Sequence, residues 1–455
     1  MNNVILMVDS YKASHFLQYP PGTTNVYSYL ESRGGRYSHT VFFGLQYLLK
    51  RYLSVRVTSE MVEEAREFFT AHGEPFPYDG WMHIAKDLDG RIPVRIRAVP
   101  EGLVVPTHNV LMDVECTDPT VPFITSWVET LLMRVWYPTT VATQSWHIKS
   151  LLKAYLERTS DNPDDELPFK LHDFGSRGVS SSESAGEGGM AHLVNFMGSD
   201  TVEGVLFAKE YYHEPMAGFS IPAMEHSTVT AWGQDNETGA YRNMLQQFAK
   251  PGKILAAVSD SYDLWNAIEH IWGETLKDEV VNSGATIVVR PDSGNPPEVV
   301  LKALNLLAEK FGTTINSKAF KVLNNVRVIQ GDGVNEESIR QILETATGAG
   351  FSASNVAFGM GGALLQQVNR DTQRFAYKTS EVTVNGKHIG VNKNPVTDPG
   401  KASKKGRLDL VRSGGKYSTV AGPAIGSELR VVFENGKLVK EYNFAEVRKR
   451  ANEGR

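Results

Sequence analysis

Charged and glycine-rich clusters recur in this chain at the points where short hydrophobic runs stop. Thr286-Ile287-Val288-Val289 gives way to Arg290-Pro291-Asp292-Ser293-Gly294, and Val326-Arg327-Val328-Ile329 to Gln330-Gly331-Asp332-Gly333. Ile254 to Val258 is followed by Ser259-Asp260-Ser261, and Asn355 to Phe358 by Gly359-Met360-Gly361-Gly362. Asp292 and Asp332 occupy equivalent places, which suits two carboxylates that grip vicinal sugar hydroxyls or a magnesium ion; the alternative is that each caps the helix that follows. The glycine run is either a tight turn or a set of backbone N–H groups open to a phosphate. His226, with Glu225 beside it, is either a catalyst or a structural hydrogen-bonding residue. The basic run Lys401, Lys404, Lys405 and Arg407 is either a solvated loop or a phosphate contact.

Other chemistries are excluded by missing patterns. The sequence has no GxxxxGK[ST] loop, no HExxH and no paired cysteines, which argues against a Walker-type nucleotide site and against zinc. Gly186-Glu187-Gly188-Gly189-Met190-Ala191 fits a dinucleotide fingerprint on paper. It comes about ten residues after the nearest strand instead of directly after it, so a Rossmann site is not expected.

The elements that must position these residues alternate. From about residue 169 to 365 an apolar strand, a polar or glycine-rich turn and an amphipathic helix repeat, which reads as β/α. In the clearest unit Asn295 suits a helix N-cap, Pro296 the first turn and Gly312 the stop. Reactive residues at the carboxyl ends of the strands are where a β/α barrel carries its chemistry. The flanking parts read differently. Pro93 to Val99 and Gly102 to Val105 are short strands, and Met61, Val62, Ala65, Phe68 and Phe69 form one apolar stripe of a core-packing helix. Val4 to Val8 is expected as a buried strand, too short for a signal peptide or a membrane span. Asn385-Gly386 and Asn435-Gly436 are hairpin signals. The expected class is α/β: a β/α barrel-like domain over 151–378, with a discontinuous α+β domain built from 1–150 and 379–455.

Length and charge bound the rest. With 455 residues the chain is long enough for two or three domains, and its net charge of −5 offers no broad basic field for nucleic acid or an anionic membrane. Any anion must be held by local groups. Cys116 is the single cysteine, so no intrachain disulfide forms, and a reducing, cytoplasmic setting is expected.

Six stretches, in order, resemble the nicotinamide phosphoribosyltransferases: Asp9-Ser10-Tyr11-Lys12, Leu171-His172-Asp173-Phe174-Gly175-Ser176-Arg177-Gly178, Glu225-His226-Ser227-Thr228, Ile287 to Gly294, Gln330-Gly331-Asp332-Gly333 and Ser403-Lys404-Lys405-Gly406-Arg407-Leu408. The similarity runs from about Val8 to about Arg448. It implies a barrel-like domain plus a second domain, a homodimer with shared sites, and consumption of phosphoribosyl pyrophosphate with magnesium to make nicotinamide mononucleotide and pyrophosphate. By motif match, Phe174 and the partner subunit's Tyr11 sandwich the pyridine ring, and Asp200 accepts a hydrogen bond from the carboxamide. Arg177 and Arg290 hold the pyrophosphate, while Asp292, Gly331 and Asp332 hold the ribose. Gly361 and Gly362, with Arg370 and Lys378 of the other chain, bind the 5-phosphate. The resemblance also implies that His226 is phosphorylated from ATP with Glu225 and Asp260 as partners, and that Asp260 and Asp292 are the carboxylates nearest a magnesium ion.

Asp200 is the expected judge of substrate. Nicotinate carries a carboxylate where nicotinamide carries an amide, and two like charges about 4 Å apart at an effective dielectric near 20 repel by roughly 4 kcal/mol, on the order of a thousandfold. The rival expectation is a nicotinate phosphoribosyltransferase, against which Asp200 argues. The chain departs from the family pattern at Ser176, where tyrosine is common, at Ala363, where a third glycine is common, and in the short segment Gly34 to His39. None of these is a named site residue.

Overall fold

The computed structural model describes residues 3–397 and 402–454. Two compact units emerge: Met1–Thr143, Ala208–Glu214 and Asn369–Arg455 make the first, and Gln144–Phe207 with Pro215–Val368 the second.

The first unit is built on a seven-stranded antiparallel sheet in the order Lys387–Gly390, Phe375–Val384, Thr23–Ser32, Val110–Cys116, Val94–Ala98, Arg430–Glu434, Lys437–Leu438. Thr23–Ser32 lies in its interior, and from Val26 onward every residue of that strand is buried. Polar groups there are paired, as burial requires: Tyr27 donates to Asp113 Oδ2 at 2.7 Å, and Arg97 bridges Asp113 and Asp409 at 2.6 and 2.9 Å. Both Asn-Gly pairs turn hairpins, with φ of 49° and 74° at Asn385-Gly386 and of 50° and 73° at Asn435-Gly436.

Two expectations are corrected in this unit. Val4–Leu6 is a short 3₁₀ turn and not a strand, because Asn3 accepts the Ile5 N–H through its side chain and donates to Met61 O at 2.8 Å, which fixes a turn where no strand partner is offered. The helix Ser59–His72, capped by Thr58 and ended by Gly73 at φ 88°, buries Val62, Ala65 and Phe69; Phe68 is 50% exposed and stacks on His72 instead.

The second unit is a parallel barrel. Six strands lie in the order Gly198–Ser199, Leu171–Asp173, Val356–Met360, Val326–Gln330, Thr286–Arg290, Ile254–Val258. The extended segment Phe219–Ala223 joins the two edges, bridging Gly198 through Phe219 and Ala256 through Ala223. Read around the ring, the staves follow the chain in order, with helices such as Ser182–Leu193, Glu237–Phe248, Pro296–Phe311 and Glu336–Gly348 between them. Asn295 and Gly312 bound the helix Pro296–Phe311 as the sequence suggests.

The glycine cluster Gly186 to Gly189 lies buried inside the helix Ser182–Leu193, so it forms no dinucleotide loop. Its purpose is close packing. A Cβ on Gly189 would come within 3.0 Å of Gly204 Cα, and one on Gly204 within 2.6 Å of Gly189 C, so the two helix backbones touch at a point where no side chain fits.

Candidate active site

Each stave of the barrel ends in a residue the sequence singled out. Phe174 follows Leu171–Asp173, Asp200 follows Gly198–Ser199, and Glu225 with His226 follows the segment Phe219–Ala223. Asp260, then Arg290 to Asp292, then Gly331 and Asp332, then Gly361 and Gly362 terminate the remaining four. Parallel strands bring all of these carboxyl ends to one rim, which is the reason residues far apart in sequence converge.

Phe174 is at the centre. Its N–H donates to Met360 O at 3.0 Å, and its ring packs over the apolar interior formed by Ala256, Val288 and Ile329. Gly359 makes room for that ring, and a Cβ on Gly331 would sit 3.3 Å from Asp292 Oδ1, 3.6 Å from Arg290 Cδ and 3.7 Å from Phe174 Cε2. Four of the predicted residues therefore surround one point. At the opposite, amino-terminal mouth of the barrel an open cavity of about 500 Å³ is lined in part by Lys170, Ile254, Thr286, Arg327 and Ile329.

A second group is knitted around Asp260. Its Oδ1 meets His226 Nε2 at 3.1 Å, and its Oδ2 accepts from Asp292 N at 2.9 Å and from Ser293 Oγ at 2.7 Å. Burial works to raise this carboxyl, but the bonds from Ser293, His226 and the Asp292 N–H hold it below the ordinary carboxylate range. His226 itself is exposed, with 46% of its side chain accessible, so one ring nitrogen is anchored while the imidazole stays reachable. Glu225 accepts from Ser227 Oγ. Arg290 faces Asp292 with Nη2 to Oδ2 at 3.5 Å, and its Nε is buried with no protein partner. A buried guanidinium donor without a partner is costly unless a ligand supplies the acceptor.

Asp200 is exposed, accepts from Ser220 Oγ, and donates its own N–H to Asp173 O at 2.9 Å. Ser220 was not foreseen: it sits on the closing stave, whose Gly218-Phe219-Ser220-Ile221-Pro222 has neither a strand's length nor its alternation. Arg177 is exposed on the 3₁₀ turn Ser176–Gly178, and Ser176 donates to Glu203 at 3.1 Å. Gly178 lies against Gly362, whose own Cβ position is open space, so packing does not demand glycine there. Asp332 is exposed, with its main-chain oxygen accepting from Gln330 Nε2 at 2.8 Å.

Three predicted residues belong to the first unit. Tyr11, 57% exposed, stands on the 3₁₀ helix Ser10–Leu17, which is fastened by Lys12 to Glu129 at 2.7 Å and His15 to Ser126 at 2.9 Å. Arg370 is exposed beside Asp371. Lys378 has its pKa lowered by burial, with Glu129 opposing that shift and Arg33, Lys393 and Arg370 adding to it. In the basic run, Lys404 pairs with Glu31 and Arg407 with Glu115 and Glu381, while Lys401 lies outside the described residues.

Among the described residues no three His, Cys, Asp or Glu side chains gather as a metal cage, and no helix is long and apolar enough to cross a membrane.

Comparison with known proteins follows the same lines. Residues 169–437 match the model of the nicotinate phosphoribosyltransferase (NAPRTase) family, and residues 3–96 match the nicotinamide phosphoribosyltransferase N-terminal domain. The chain is 56% identical to a nicotinamide phosphoribosyltransferase of Xanthomonas campestris pv. campestris, covering 100% of this chain and 99% of that protein. It is 31% identical to a protein of the same name from Acinetobacter baylyi, over 98% and 97% of the two chains. In fold it is similar to a nicotinate-nucleotide pyrophosphorylase from Pyrococcus furiosus, at TM-score 0.62 and 18% identity over 99% of this chain and 95% of that one. Human nicotinic acid phosphoribosyltransferase aligns at TM-score 0.58 and 18% identity, over 99% and 93%. With a family model matched over more than half its length and full-length relatives well above 30% identity, the chain belongs to the nicotinate phosphoribosyltransferase (NAPRTase) family.

Proposed function

We propose that this protein is a nicotinamide phosphoribosyltransferase, a pentosyltransferase that joins nicotinamide to phosphoribosyl pyrophosphate and releases pyrophosphate in NAD synthesis. The observation that carries the reading is the convergence of Phe174, Arg290, Asp292 and Gly331 on one point at the barrel rim, in a chain 56% identical to a relative of that name.

The pyridine ring stacks on Phe174, with Tyr11 of the partner subunit on its other face in a homodimer with shared sites. Asp200, oriented by Ser220, accepts the carboxamide N–H. Arg177 and Arg290 take the pyrophosphate, and the partnerless Nε of Arg290 is the donor that waits for it. Asp292, Gly331 and Asp332 hold the ribose hydroxyls. Gly361 and Gly362 present backbone N–H groups to the 5-phosphate, helped by Arg370 and Lys378 of the partner subunit. In the transfer, the C1–O bond to pyrophosphate breaks as the pyridine nitrogen bonds to C1, and positive charge passes from the ribose ring to the pyridinium. No proton has to move at the reacting atoms, so the protein contributes placement and charge.

Magnesium fits this site. Asp260 and Asp292 stand side by side, the Asp292 N–H donating to Asp260 Oδ2 at 2.9 Å, and their carboxylates would hold a hard cation that takes its other ligands from phosphate and water. When bound, it would neutralise the leaving pyrophosphate. ATP is the coupled co-substrate. With its Nε2–H given to Asp260, His226 keeps a lone pair on Nδ1, and that nitrogen attacks the γ-phosphorus as ADP leaves. Hydrolysis of the phosphohistidine then drives tighter use of substrate. The setting is reducing and cytoplasmic, as one buried free cysteine suits.

The test is mononucleotide formation by the purified protein with phosphoribosyl pyrophosphate and magnesium, comparing nicotinamide with nicotinate, each with and without ATP. Product from nicotinamide alone is expected. Product mainly from nicotinate would keep the chemistry and overturn the substrate, and product from neither would overturn the assignment.

A further inference from the structure

Asp173 has no part in the mechanism above, yet it is fully buried at the rim, between the two residues given to the pyridine. Its side chain folds the turn that carries Phe174, since Oδ1 accepts the Gly175 N–H at 2.7 Å across that residue. Its main-chain oxygen accepts the Asp200 N–H at 2.9 Å. The strand register sets it between Met360 on one side and Ser199 on the other. Its second carboxylate oxygen is buried, with the Thr201 hydroxyl as its neighbour, and is pressed toward Gly189, whose Cβ position is 3.3 Å away. Burial pushes this carboxyl up to about 6; hydrogen bonding from the Gly175 N–H and the Thr201 hydroxyl opposes the shift, and Asp200 and Glu203 add to it. A fully buried acid whose charged form is disfavoured there is not what stability alone would select at this position.

We propose that Asp173 is a positioning residue for the pyridine subsite, fixing the separation of Phe174 from Asp200 through its side chain on one and its main chain on the other, and thereby the preference for an amide over a carboxylate on the ring. The proposal rests on the reading of Phe174 and Asp200 given above. Asp173 touches no reacting atom; it acts through the turn. Loss of the side-chain acceptor frees the Gly175 N–H and lets the Phe174 ring shift relative to Asp200, which loosens nicotinamide without touching the pyrophosphate and ribose contacts.

The experiment compares Asp173→Ala, Asp173→Asn and Asp173→Ser with the parent protein, reading kcat, the KM of each substrate, and the ratio of kcat/KM for nicotinamide over nicotinate. Asp173→Ala is expected to raise the nicotinamide KM about tenfold or more and to lower the ratio about tenfold, with the phosphoribosyl pyrophosphate KM within about twofold. Asp173→Asn keeps an acceptor for Gly175 and is expected to restore both to within about threefold. If Asp173→Ala does not fold, Asp173→Ser is read in its place and must move the ratio in the same direction by about threefold. An unchanged ratio, or equal damage from the Asn variant, overturns the proposal. Asp200→Ser runs alongside: if it too leaves the ratio unchanged, the pyridine reading itself has failed; if it moves the ratio while the Asp173 variants do not, only the positioning role has failed.

Discussion

Gly359 and Phe174 compete for one volume: a Cβ built on Gly359 would lie 1.9 Å from Cε2 of the Phe174 ring. The backbone of one stave thus forms the bed on which the ring of its neighbour lies. Gly359→Ala must push the ring off its bed or bend the strand, and overpacking of this kind costs about 1–3 kcal/mol. The expected result is a rise of roughly tenfold or more in the nicotinamide KM. Steady-state kinetics check it, and an unchanged KM would mean that Phe174 does not touch the ring.

Asp200→Ser removes the charge that repels nicotinate. From the Coulomb magnitude of roughly 4 kcal/mol, the preference for amide over acid is expected to fall by up to about a thousandfold. Competition between the two substrates in one assay measures it directly, and a preference that stays where it was would sink the role given to this carboxylate.

Asp260→Asn keeps the size of the side chain but weakens its grip on His226 Nε2. ADP release coupled to mononucleotide formation is expected to drop on the order of a hundredfold, while basal transfer without ATP, which Asp260 serves only as one of the magnesium ligands, falls about tenfold and recovers with added magnesium. His226→Ala should abolish the coupled ADP release altogether. Equal loss of both activities in the Asn variant would place Asp260 in bond making.

The Asp173 carboxyl also predicts a pH dependence of stability. Its folded pKa, near 6, lies above the ordinary carboxylate value of 3.8. The folded state therefore binds its proton more tightly than the unfolded state does, and stability contributed by this group is present below about pH 4 and lost as pH rises through 6. The loss is on the order of 3 kcal/mol. Asp173→Asn has no such loss, so the difference between it and the parent in denaturant unfolding should grow from pH 4 to 6 and then level off. A constant difference would refute the shift.

Much of the barrel was legible because its strands are continuous apolar runs cut off by Asp, Arg or Gly, as Thr286–Arg290 and Val326–Gln330 are. Those interruptions mark both the strand ends and the chemistry. The closing stave was not legible, since Phe219–Ala223 holds its place by one bridge on each side and contains Pro222. Ser220 went unseen with it. The N-terminal apolar run misled for the opposite reason: Val4 and Ile5 are buried, as hydrophobicity demands, but Asn3 turns the chain before a strand can pair. The positioning role of Asp173 depends on a main-chain bond to Asp200, which no side-chain pattern encodes.

The sheet of the first unit also sets the order in which the chain can mature. Thr23–Ser32, Val94–Ala98 and Val110–Cys116 form its middle, while Phe375–Val384 and Arg430–Glu434 cover their two sides from the far end of the sequence. On the ribosome, at about 5–20 residues per second, the early strands wait on the order of tens of seconds with both edges bare. Bare edges recruit other strands. A chain cut short before Phe375 would keep every barrel stave and still lack what shields those edges, so aggregation, not mere inactivity, is the fate of a truncated product.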